Sequence, residues 1–136
     1  ELKVSLDKFY SSFKEIGFIA HACSDAHYIN FYNLYIKDCH NGNLPAFCSA
    51  EDILEIFDLL GIKYDVQYIE YLNTAEYHDM LTVEAYLQRC LFDDTMRINE
   101  MREYDLLGNY LDSCSSTGKW SFPQRVALIE LKKSFG

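Results

Sequence analysis

The side chains best suited to chemistry in this 136-residue chain are its five cysteines, Cys23, Cys39, Cys48, Cys90 and Cys114, two of which stand near histidines. His21 with Cys23, and Cys39 with His40, have the donor types of a metal site or of a thiolate–imidazole nucleophile. A structural zinc site needs about four convergent ligands, and these are isolated pairs. A nucleophilic thiol needs a cation or base to lower its pKa; each pair offers its own imidazole, and nothing else around either group suggests an activated thiolate. The acidic pairs Glu51-Asp52 and Asp93-Asp94 sit where helix starts are expected, which is reason enough for their presence. There is no GxSxG, Walker loop, HExxH or GxGxxG. The sequence therefore reads as non-enzymatic, with no catalytic residue, no metal and no cofactor called for.

The odd cysteine count, the wide spacing and the lack of a CxxC motif point to free thiols in a reducing compartment. The expected location is intracellular, cytoplasmic or nuclear. The chain is acidic, with a formal net charge of −9 and a pI near 4.8. Its few basic residues are scattered, with Lys132-Lys133 the one adjacent pair, so no nucleic-acid face and no affinity for anionic membrane are expected. No apolar run is long enough to span a bilayer. Hydrophobic residues make up 49% of the chain, enough for a folded core. Eleven tyrosines add side chains that bury area while keeping a polar tip. The chain starts at Glu1 without Met, which suggests a fragment of a longer protein.

The elements that must position these residues follow from periodicity. Leu2, Val4 and Leu6 alternate with polar residues, predicting a β-hairpin over 2–12 that turns at Asp7-Lys8. Residues 14–23 follow as a short helix with Ile16, Ile19 and Ala20 inward. Gly17 would mark a close approach there. Tyr28, Phe31, Tyr32 and Tyr35 fall at helical spacing and predict a helix over 25–37. Residues 38–43 read as a loop and 44–48 as a short edge strand. Ser49 is a predicted N-cap for a helix with Ile53, Ile56, Phe57 and Leu60 inward and Gly61 closing it. Ile69, Leu72 and Ala75 predict one helix, and Val83, Tyr86, Leu87, Cys90 and Leu91 another. Asp93-Asp94-Thr95 would cap a helix running to Leu107 and ended by Gly108. Ser113 to Lys119 reads as a linker. Ser121, Pro123 and Gln124 would start a last helix to Phe135. Early strands before a helical majority indicate an α+β domain.

The stretch 68–90, YIEYLNTAEYHDMLTVEAYLQRC, resembles the C-terminal half of a BTB/POZ domain, where a "VEYLLxLAdyf" helix precedes one ending in "CexFL". Ser49 to Glu55 is similar to that family's "spEdfLe" helix start, Leu6 to Ala20 to its "v.gkkFyvskaiLA" segment, and residues 95–114 to the helix pair that often follows the core. The nearest flavour is the BTB domain of MATH–BTB proteins. The resemblance implies a BTB/POZ-like α+β fold with a small N-terminal sheet, packed helices and a C-terminal helical extension. The boundaries would be 1–92 for the core and 93–136 for the extension.

The resemblance further implies a protein–protein interaction module that homodimerises, with Phe13, Ile16, Gly17 and Ala20 near a two-fold axis. In its most specific form the module would be an adaptor to a cullin ubiquitin ligase. Its partner loop would be Ile36, Lys37 and Asp38, which has the hydrophobic-x-acid shape of the family's cullin-docking element with Asp in place of Glu. The alternative from another class is an all-helical interaction domain that binds a partner helix in an apolar groove.

Overall fold

The computed structural model describes residues 1–133. Six α-helices pack on one antiparallel sheet, a mixed α+β arrangement. The helices are α1 (Leu2–Ser12), α2 (His27–His40), α3 (Ala50–Leu59), α4 (Met80–Leu91), α5 (Ile98–Glu103) and α6 (Asp105–Cys114). The strands are β1 (Ile16–Ala22), β2 (Tyr64–Glu76), β3 (Ser115–Ser116) and β4 (Lys119–Lys132). The order β1-β4-β2 puts the last strand in the middle, and β3 pairs with the start of β4 across the Gly118 turn.

The α+β class expected from sequence holds, but several elements exchange identity. Residues 2–12 are a helix and not a hairpin. Leu2, Leu6, Phe9 and Tyr10 lie on one helical stripe, joined by Phe13 just beyond it, and all five enter the core beneath the sheet. The expected helix over 14–23 is instead β1. Tyr64–Glu76 is a strand where a helix was expected, because pairing with β4 satisfies its backbone along the whole length. The expected edge strand over 44–48 has no strand pairing. Gly108 does not end a helix but lies inside α6. A Cβ there would collide with the Arg102 carbonyl, so glycine permits the tight join of α5 to α6.

The C-terminal segment is helical only as far as Cys114, where α5 and α6 form a helix pair; residues 119–132, expected as a last helix, form β4, hydrogen-bonded to both β1 and β2. Phe135, the expected end of a last helix, lies outside the described residues. Pro123 is tolerated in this strand because β1 reaches only Val126, so β4 has β2 alone beside it there. The helices α2, α3 and α4 stand where the sequence placed them. Ser49 accepts from the Asp52 amide while Asp52 accepts from the Ser49 amide, a complete capping box.

Two cores result. Trp120 and Phe122 of β4 pack with Phe31, Leu87, Met101, Leu107 and Leu111 from α2, α4, α5 and α6. Ala127, Ile129 and Leu131 pack with Leu6, Ile53 and Phe57 from α1 and α3. Successive side chains on a strand point to opposite faces. The change from even to odd positions therefore means that the helices cover opposite faces at opposite ends of β4.

Candidate functional site

Each face of the sheet is thus bare over half its length, and the two bare areas differ in chemistry. On the face that α1 and α3 cover further along, the bare part carries Lys119, Ser121 and Pro123 opposite Glu76, Thr74 and Leu72. Apart from Leu72 and the proline ring it is polar, as expected of a sheet with one face in water.

The bare part of the other face is apolar. The pairing register sets Ile16, Phe18, Ala20 and Ala22 of β1 beside Lys132, Glu130, Leu128 and Val126 of β4. Glu130, Leu128, Val126 and Gln124 in turn face Asp65, Gln67, Ile69 and Tyr71 of β2. Ile16, Phe18 and Ile69 are 49%, 56% and 54% exposed. The polar members, Lys132, Glu130, Asp65 and Gln67, lie on β4 and β2 beside Ile16, Phe18 and Leu128, and Lys132 and Glu130 pair at 3.1 Å.

This surface runs on to the outer edge of β2, which has no strand beside it among the described residues. Residues 67–72 of β2 are exposed on both faces. Tyr68 lies under the Arg125 guanidinium, 4.2 Å from its ring centre, and Arg125 also reaches Glu70 at 3.5 Å. Between Tyr64 and Glu76 the strand has no lysine, arginine or proline, and its charged residues are Asp65, Glu70 and Glu76.

The expected dimer residues divide between the two faces. Ile16 and Ala20 lie on the bare apolar face. Phe13 and Gly17 do not: Gly17 is buried against the Phe13 ring, and a Cβ there would come within 2.7 Å of it. The close approach that calls for glycine is thus made by a ring of the same chain. Ile36, Lys37 and Asp38 form no loop but the last turns of α2. Ile36 is 3% exposed, and the Asp38 carboxylate accepts from the Leu107 amide at 2.8 Å, fastening the start of α6. Only Lys37 of the three is exposed.

The candidate chemical groups are occupied internally. His21 Nε2 donates to the Cys48 carbonyl at 2.7 Å. His40 Nε2 lies 2.9 Å from the Tyr35 hydroxyl, which donates to Asp93. Burial pushes all five thiols above their ordinary values, away from the reactive thiolate. Donor atoms of Cys23, Asp25 and Glu51 lie within 4.8 Å of one another. Glu51, however, accepts from the Ser24 amide, and Asp25 pairs with Arg125 at 3.6 Å, a cation that opposes a metal ion there.

Sequence reasoning did not single out His27, the one fully buried histidine. Its Nδ1 shares a 2.7 Å hydrogen bond with the Tyr110 hydroxyl, and the rings of Phe31, Tyr86, Tyr110 and Phe122 surround it. Nε2 is buried without a partner. Desolvation lowers its pKa to about 3, so the ring is neutral and acts as a packing and anchoring group. Beside it, the Tyr86 hydroxyl accepts from Asn73 and Gln124, tying α4 to β2 and β4.

Among the described residues no helix is long and apolar enough to cross a membrane. The chain matches no protein-family model, and no curated protein is significantly similar to it.

Proposed function

We propose that this chain is a non-catalytic protein–protein assembly module that works as a homodimer, with the sheet as its assembly surface. The observation that supports this reading is the bare apolar sheet area from Ile16 and Phe18 across Leu128 and Val126 to Ile69, continuous with the open β2 edge. Soluble domains leave large contiguous apolar areas mainly where something binds. The polar counterpart on the opposite face shows that this sheet follows the usual rule where nothing is to be covered.

The BTB/POZ-like resemblance supports this reading through the homodimeric assembly it implies. Ligase recruitment through Ile36, Lys37 and Asp38 would need an anchor that is buried here and a carboxylate already bonded to α6. The sheet is therefore the better-supported contact surface. Sedimentation equilibrium at tens of micromolar tests the proposal. The expected mass is twice 15.9 kDa, and a monomer at every concentration would end the homodimer reading.

A further inference from the structure

We infer that the seam of the homodimer is the outer edge of β2, paired antiparallel with β2 of a second copy into one continuous sheet. This rests on the assembly reading above and specifies its geometry.

The first argument is the backbone. An edge strand carries a row of N–H and C=O groups that only another extended strand can satisfy as a ladder. From Tyr64 to Leu72 that row is long, free of proline and free of basic side chains.

The second argument is which side chains need covering. Ile69 and Tyr71 point to one face, and Tyr68 and Leu72 to the other, yet all four are exposed. Packing a partner on a single face would leave Tyr68 and Leu72 in water. A strand added alongside flanks residues on both faces at once.

The third argument is continuity. The bare face of one copy is about 23 Å long and three strands wide, or roughly 330 Å² in projection, and it runs onto the β2 edge at Ile69 and Tyr71. Edge pairing flanks those two side chains and aligns the two bare faces into one surface of roughly 660 Å² in projection, which the seam itself does not cover.

Charge is compatible with two copies. A two-fold axis normal to the sheet keeps like faces together, so each residue must pair with one of the same parity. Centred on Ile69, this sets Tyr68 against Glu70, Gln67 against Tyr71 and Asp65 against Asn73. No acidic residue of β2 then opposes another, whereas centring on Glu70 would juxtapose two carboxylates.

The test combines mass with residue-resolved amide hydrogen exchange, measured on the whole chain above and below the concentration at which it dimerises. The inference expects a dimer in which alternate amides within 65–72 gain at least about tenfold protection at the higher concentration. A dimer whose 65–72 amides exchange equally fast at both concentrations would overturn the β2 seam while leaving the assembly reading intact. A monomer throughout would overturn both. Ile69→Lys gives an independent check, because it sets two lysines opposite each other at the axis. It should raise the dimer dissociation constant at least tenfold, and an unchanged constant would overturn this register.

Discussion

The two bare areas of the sheet share β4 and β2, with β1 added to the apolar one, yet obey opposite rules. Around Ser121, Thr74 and Lys119 the solvent-facing side is polar, and nothing more is needed. Around Phe18, Leu128 and Ile69 the solvent-facing side is apolar, although the opposite side already holds the Ile129, Leu131 and Phe57 core. A strand that needs only one buried face alternates apolar and polar residues. Val126 to Ile129 of β4 is continuously apolar before Glu130 restores the alternation, the composition of a strand with a covering layer on both faces. The helices supply that layer for Trp120 and Phe122 and not for Val126 and Leu128.

The strongest test is to truncate one large side chain from the part of this face that the helices cover and one from its bare part. Trp120 is fully buried, stacked on Tyr77 and lying under the Arg102 guanidinium. Trp120→Ala should cost about 3–5 kcal/mol. Phe18→Ala on the bare face should cost the monomer about 0.5 kcal/mol or less, the ordinary range for a surface change. Urea denaturation of both variants, at concentrations below dimerisation, gives the comparison. Similar losses would mean that the two areas are equally covered within one chain.

The covered area should also be the acid-sensitive one. His27 is held neutral with a pKa near 3, against 6.5 in the unfolded chain. The folded form therefore binds fewer protons than the unfolded form between those values. Its stabilising effect is complete above about pH 6.5 and is lost progressively as pH falls toward 3. By pH 4.5 the loss should be about 2–3 kcal/mol, at roughly 1.4 kcal/mol per pH unit. His27→Phe removes the titrating group and should flatten this part of the urea-midpoint profile relative to wild type. Parallel profiles would show that His27 is solvated or charged in the fold.

A smaller effect is expected where α1 meets β1. Gly17→Ala forces the Phe13 ring to move, because the new Cβ would lie 2.7 Å from it. The cost should be about 1–3 kcal/mol, the range for overpacking. Phe13→Leu combined with Gly17→Ala should recover part of it in thermal melts. A loss of dimer with no loss of monomer stability would instead return Gly17 to an intermolecular contact.

The sequence showed elements whose signals are local and hid those decided by pairing. The Ser49 cap announced α3, and the Val83–Leu87–Cys90–Leu91 stripe announced α4, because the residues that specify a cap or a helical face lie within a few positions of one another. β2 was misread since Ile69, Leu72 and Ala75 fall three apart. With residues 67–72 exposed on both faces, the strand shows no clean alternation to contradict a helix. β4 was concealed by its change of buried face: Trp120, Phe122 and Gln124 are buried at even positions, and Ala127, Ile129 and Leu131 at odd ones. Neither pattern is anomalous once the strand is known to serve two cores. The bare apolar face was half legible, since Ile16 and Ala20 were singled out, but their helical phase hid Phe18 beside them and Ile69 two strands away.

The finest test of the contrast lies within the bare apolar area itself. Phe18 and Ile69 are exposed to almost the same degree, 56% and 54%, but they sit on opposite outer strands with β4 between them. Replacing either with a polar residue should change monomer stability by about 0.5 kcal/mol or less, so effects on folding do not obscure effects on assembly. A seam along β2 makes the two positions unequal. Phe18→Ser should leave the dimer dissociation constant within about twofold, while Ile69→Ser should weaken it by about 1 kcal/mol, or roughly fivefold, through loss of a cross-strand apolar pair. Sedimentation velocity over a dilution series resolves that difference. Equal weakening by both would mean that the face, with Phe18 in contact, is the surface between the copies. Weakening by Phe18→Ser alone would place the seam on the β1 side. The outcome thus sorts edge from face by two apolar residues of matched exposure on opposite strands.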